Sequence, residues 1–179
     1  MNLDFTEKQI SRKIIYEGKV VDLVIDEVSL PNGKSANREI ILHSGGVVVL
    51  PITKEGNLVL VEQFRYATGQ TLLEFPAGRL NKNENPEKAA LRELKEETGF
   101  TAGKIENFNH IFMAPGFCTE RLFVFLATDL IKGEAQPDED EFVRTIILKP
   151  SEFKDKIIKS EIIDAKTLAI WSIYLAKFL

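Results

Sequence analysis

The feature that most constrains this chain is one short segment with marked ends. Asn85 and Pro86 open it, and Thr98 and Gly99 close it. An asparagine side chain accepts from the first free N–H groups of a helix, and the fixed φ of proline suits the first turn. Glycine then provides the stop. A helix is therefore expected over Pro86 to Thr98, which places Glu93 and Glu97 on one face, a turn apart. Glu96 stands on the adjacent edge. Three carboxylates this close repel one another and sit near the negative end of the helix dipole. A solvated acidic face is the bland reading of such a stretch. The other reading supplies a counter-charge: a hard divalent cation such as Mg²⁺, which accepts carboxylate oxygens and keeps places for water and phosphate. Arg92, four residues before Glu96, can pair with that carboxylate.

Around this helix the chain reads mostly as strands. Lys19 to Leu30 is rich in Val and Ile, Pro31-Asn32-Gly33-Lys34 makes a turn, and Asn37 to His43 follows. Residues from about 14 to 43 thus suggest a hairpin-based sheet, and Gly45-Gly46 marks a boundary. The expected division is a β-sheet region over 1–44, for dimerisation and substrate contact, and a catalytic domain over 45–179. Val47 to Ile52, Leu58 to Phe64, Thr71 to Phe75, Lys104 to Met113, Leu122 to Thr128 and Phe142 to Leu148 read as further strands. Ser151 is placed to cap a short helix. Asp164 opens a longer one on which Leu168, Trp171 and Leu175 recur at helical spacing, with Trp171 read as core. Strands mixed irregularly with a few helices predict an α+β fold, a mixed sheet flanked by helices.

Composition narrows the function. With 179 residues, 44% of them hydrophobic, one well-buried core is expected. A net charge of −4 argues against a duplex-binding surface, so no nucleic-acid partner is expected. The single cysteine, Cys118, excludes an intrachain disulfide. No apolar run approaches the roughly 20 residues that span a bilayer, and the first seven residues lack the layout of a secretory signal. The expected setting is cytoplasmic. His43 and His110 have no partner spacing suited to zinc or a nucleophilic dyad.

The longer string around the helix carries a resemblance. Gly78, five residues, Glu84, seven residues, Arg92-Glu93, an aliphatic, one residue, Glu96-Glu97, one residue, Gly99 and an apolar Phe100 match every defined position of the Nudix box. The chain thus resembles the Nudix hydrolases, which implies their α/β/α sandwich, with a small antiparallel sheet added at the N-terminus, and metal-assisted attack of water on phosphorus. The resemblance assigns Glu93, Glu97 and the carbonyl of Ala77 to the metal, and Glu96 to a metal or to support of its ligands. Glu84 and Arg92 would brace loop and helix, and Gly78 and Gly99 would let the backbone turn. Mg²⁺ is the implied cofactor, with Mn²⁺ as substitute.

A second string, Ala114-Pro115-Gly116-Phe117-Cys118-Thr119-Glu120, places Pro115 sixteen residues after Gly99 and is similar to the ADP-ribose pyrophosphatase branch. Glu62-Gln63-Phe64-Arg65 and Glu74-Phe75-Pro76-Ala77-Gly78 look like the same branch. The resemblance implies hydrolysis of ADP-ribose to AMP and ribose 5-phosphate, and a homodimer. Gly116, Phe117, Glu120, Arg65 and Arg38 are the implied substrate contacts. The acidic loop Asp138-Glu139-Asp140-Glu141 corresponds to one that carries a general base in relatives. Glu141 is taken first and Glu139 second. The alternatives are a pyrophosphatase for other or many nucleoside diphosphate sugars, such as GDP-mannose, and a non-catalytic ADP-ribose sensor.

Overall fold

The computed structural model describes residues 4–136 and 141–178. These fall into two compact units: residues 1–45 with 112–121, and residues 46–111 with 122–179.

The first unit is a three-stranded antiparallel sheet, β1 (Lys8–Glu17), β2 (Val21–Ser29) and β3 (Ser35–His43), in that order. Its β2–β3 turn forms where the sequence signals it. Gly33 has φ 82°, a conformation that suits a residue without Cβ, and its N–H donates to Leu30 O at 2.9 Å. The second segment of this unit is stitched to β3. Ile41 N–H donates to Phe117 O (2.8 Å), Thr119 N–H donates to Ile41 O (2.9 Å), and Thr119 Oγ1 accepts from His43 N–H (2.9 Å).

The second unit carries two sheets. One is antiparallel, ordered β10 (Val143–Leu148), β5 (Leu58–Arg65), β6 (Gln70–Glu74). The other is mixed, ordered β7 (Ala77–Arg79), β4 (Gly46–Pro51), β9 (Arg121–Lys132), β8 (Phe100–Phe112). There β4 runs antiparallel to β7 and parallel to β9. All six residues of β4 are buried, which explains its unbroken apolar run: a strand covered on both faces does not alternate. Helix α1 (Pro86–Thr98) packs Ala89, Ala90 and Leu94 against Val47, Val49, Val59 and Phe125. The helices α2 (Pro150–Ile158) and α3 (Ala165–Phe178) add an aromatic layer in which Phe153 stacks on Phe75 (5.3 Å) and meets Trp171 edge-on (5.1 Å). Trp171 is a core residue, as read from the sequence. The architecture is the expected mixed-sheet sandwich.

Two local details differ from expectation. Helix α2 is not capped by Ser151. It begins at Pro150, and the Glu152 side chain reaches back to accept the Lys149 N–H at 2.8 Å. Strand β1 begins at Lys8, before the expected start of the sheet, and its ten residues are all exposed, so it carries no buried-face alternation to read.

Candidate active site

Helix α1 forms over Pro86 to Thr98, with the predicted ends. Asn85 Oδ1 accepts from Glu87 N–H (2.9 Å) and Lys88 N–H (3.2 Å). Gly99 closes it with φ 76° and an N–H donated to Lys95 O at 2.8 Å. The face bearing Glu93 and Glu97 is turned inward: these carboxylates are 7% and 3% exposed. The loop before the helix is shaped around them. Ala77 N–H donates to Glu97 Oε2 at 3.1 Å. Gly78 has no room for a Cβ, which would lie 2.0 Å from the Glu93 carboxylate.

Arg92 ties the loop and helix together. Its Nε and Nη2 donate to the two oxygens of Glu84 (2.9 and 3.1 Å), Nη1 donates to Glu93 Oε1 and Glu96 Oε2 (both 2.8 Å), and Nη2 also reaches Arg79 O at 3.3 Å. Glu84 in turn accepts the Asn81 N–H at 2.9 Å. The Arg92 hydrogen bond holds the Glu84 carboxyl below its ordinary range, and Arg92 itself is pushed upward, first by Glu84.

The inward carboxylates behave oppositely. Burial raises Glu93 above its ordinary value, with Arg92 opposing and the charges of Glu96 and Glu141 adding to the rise. Burial likewise pushes Glu97 up to about 8; the Ala77 N–H and Arg65 oppose this, and Glu93 and Glu141 reinforce it. Glu141, an exposed residue just before β10, is therefore in electrostatic range of both. Glu139 lies outside the described residues.

Among the described residues no three acidic, histidine or cysteine side chains already surround one point. Arg92 donates to one oxygen each of Glu93 and Glu96, and the Ala77 amide to one of Glu97. The donor chemistry nevertheless fits a hard divalent cation. Carboxylates whose ionisation is opposed by burial, beside a backbone kept close by Gly78, are what such an ion stabilises.

The remaining candidates lie apart in sequence. Arg65, on β5, forks onto Glu74 through Nε (2.8 Å) and Nη2 (2.6 Å). Glu74 is 0% exposed and also accepts from Lys166 of α3. Burial pulls Glu74 upward, but Arg65 and Lys166 together hold it below the ordinary carboxylate range. Sequence reasoning missed both partners, although a lone acid in the run Leu72-Leu73-Glu74-Phe75 was a visible signal of a buried, paired charge. In the first unit, Arg38, Gly116 and Phe117 line one groove of about 440 Å³. There Arg38 pairs with Glu7 through two hydrogen bonds (3.0 and 2.5 Å), and Asp26 with Arg12 (both 2.7 Å). Glu120 stands 3.8 Å from His43 Nδ1, which accepts the Gly45 N–H.

A mixed-sheet sandwich with buried carboxylates on a braced loop–helix unit defines a class of hydrolases that work with divalent cations. The family model of the NUDIX domain matches residues 42–169. The chain is 44% identical over 163 residues to an ADP-ribose pyrophosphatase of Bacillus subtilis (90% of this chain, 88% of the relative). It is 43% identical over 166 residues to a methanol dehydrogenase activator of Bacillus methanolicus (92% and 90%). A crystal structure of an ADP compounds hydrolase superposes with a TM-score of 0.83 at 20% identity, covering 99% of this chain and 95% of the other, a likeness of fold. The chain belongs to the Nudix hydrolase family.

Proposed function

We propose that this enzyme hydrolyses the diphosphate of ADP-ribose to AMP and ribose 5-phosphate with Mg²⁺, for which Mn²⁺ can substitute. The observation that carries the reading is the burial of Glu93 and Glu97 on one helix face with the charge of Glu141 in range of both. Likeness to the Bacillus subtilis ADP-ribose pyrophosphatase over most of both chains supports the substrate. Glu93, Glu97 and the Ala77 carbonyl hold the cation, with Glu96 as a further ligand. When bound, the cation neutralises phosphate charge and lowers the pKa of the attacking water.

The chain's own groups do the rest. Glu141 Oε accepts the proton of the attacking water, with Glu139 as the second candidate for that role. Arg92 holds Glu84, Glu93 and Glu96 in place from one guanidinium. Arg65 contacts a phosphate or the terminal ribose, and the planar fork it now offers to Glu74 favours the phosphate oxygen. Arg38, Gly116, Phe117 and Glu120 contact the nucleoside or the distal sugar. The enzyme works as a cytoplasmic homodimer.

The test is cleavage with Mg²⁺ across ADP-ribose, GDP-mannose, UDP-glucose, NADH and 8-oxo-dGTP, with Glu97→Gln as control. A large preference for ADP-ribose is expected. Preference for another diphosphate would keep the chemistry and discard the substrate. No cleavage of any would favour a binding module instead.

A further inference from the structure

One buried carboxylate here has two cations. Glu74 accepts two hydrogen bonds from Arg65 and another from Lys166, although one positive charge would balance it. Lys166 also donates to Asp164 Oδ1 at 2.9 Å, so the cluster as a whole is neutral. Its members differ in freedom. The Lys166 side chain is 12% exposed and fixed between two acids, whereas that of Arg65 is 38% exposed. Arg65 also feels the charge of Glu97.

The start of α3 keeps Glu74 in place independently of Arg65. Asp164 Oδ2 accepts the Thr167 N–H at 2.9 Å, and Thr167 Oγ1 accepts the N–H of Phe75, the residue after Glu74, also at 2.9 Å. A guanidinium fork matches a phosphate as well as a carboxylate, so Arg65 can exchange one for the other. The obstacle is what it leaves behind: an ionised carboxylate stripped of every cation inside a protein is strongly unfavourable.

We propose that Lys166 is a positioning residue that releases Arg65 to the substrate, keeping Glu74 hydrogen-bonded to a cation when the guanidinium turns to a phosphate oxygen. The inference rests on the assignment of Arg65 as a phosphate contact. It makes the C-terminal helix part of substrate recognition without touching substrate. Without Lys166, Glu74 depends on Arg65 alone and withholds it. With Glu74 neutral as well, Arg65 is free again.

Kinetics with ADP-ribose and Mg²⁺, and calorimetric binding of ADP-ribose and of inorganic diphosphate in EDTA, test this in four proteins: wild type, Lys166→Arg, Lys166→Met, and Lys166→Met with Glu74→Gln. Lys166→Met is expected to raise KM and Kd about tenfold, the size of one lost hydrogen bond between charged groups, with kcat changed by less than about twofold. Lys166→Arg stays near wild type, and the double variant recovers most of the lost affinity. A double variant that binds as poorly as the single one overturns the proposal, as does an unchanged Lys166→Met. Thermal melts of all four expose a merely structural effect, which would lower Tm and kcat without affinity recovery and also overturns it. If wild type fails to cleave ADP-ribose, the proposed function falls while the diphosphate affinities still decide the role of Lys166. Absence of diphosphate binding by wild type in EDTA overturns the role of Lys166, while cleavage of ADP-ribose with Mg²⁺ still decides the proposed function.

Discussion

Raising the pH of the metal-free protein should destabilise it through one identifiable group. Burial moves Glu97 from its ordinary 4.5 to about 8 in the folded chain. In the unfolded chain the carboxyl ionises near its ordinary value, so between the two values the unfolded state holds fewer protons than the folded one. Stability linked to Glu97 is therefore complete below about pH 4.5 and is lost as pH climbs through about 8. A shift of about 3.5 units at 1.36 kcal/mol each amounts to about 5 kcal/mol, of which about 2.5 kcal/mol falls between about pH 6 and about pH 8.5. For a chain of this size that corresponds to about 5–10 °C in Tm. Glu97→Gln has no proton to lose at this position, so wild type in EDTA should lose about that much more than the variant over the interval, read by circular-dichroism melts. Adding Mg²⁺ should reverse the loss in wild type and do little in the variant, because the cation binds the ionised carboxylate. Parallel pH curves for the two proteins in EDTA would refute the reasoning, since they would mean that Glu97 ionises folded and unfolded alike.

Three further outcomes follow from the site. Gly78→Ala forces a Cβ to within 2.0 Å of the Glu93 carboxylate; the Mg²⁺ concentration for half activity should rise about 10–100-fold, and an unchanged value would show that Glu93 is not held there for the metal. Glu141→Gln should lower kcat by about 10²–10⁴-fold. It should also bring the folded pKa of Glu97 down, read as a shallower pH dependence of the EDTA melts, because a neighbouring negative charge is gone. Gly99→Ala places a Cβ at φ 76° and 2.7 Å from Gly133 O and Ala135 N. About 1–3 kcal/mol of stability should be lost in urea unfolding, and a value near zero would mean the helix end relaxes freely.

Much of this was legible because the decisive signals are local. The cap at Asn85, the stop at Gly99 and the spacing of Glu93, Glu96 and Glu97 all lie within fifteen residues, so the helix formed as written. What stayed illegible depends on partners distant in sequence. Arg65 reads as a substrate contact, and nothing near it in sequence shows that it forks onto Glu74, which also accepts from Lys166 at the far end of the chain. The first part of strand β1, before Ile14, was hidden for the opposite reason: the strand is exposed along its whole length, so it has no alternation of buried and exposed positions. At α2, Ser151 was a reasonable cap by residue type, but Pro150 occupies the first turn and Lys149 the cap, two residues earlier.

The composition of the first unit from two separate stretches of chain has an engineering consequence. A shortened protein begun at residue 46 would not be a clean catalytic half. It would retain residues 112–121 while discarding Ile41, whose amide and carbonyl pair with Phe117 and Thr119. Those backbone groups would then turn to water or to a neighbouring chain, an invitation to aggregate. A sound minimal version removes both stretches and joins residue 111 to residue 122 by a short turn. Because β8 and β9 are hydrogen-bonded neighbours, the ends to be joined already belong to adjacent strands. The N-terminal sheet is thus grafted into the chain at two points, and it can be exchanged between relatives only if its distant loop travels with it.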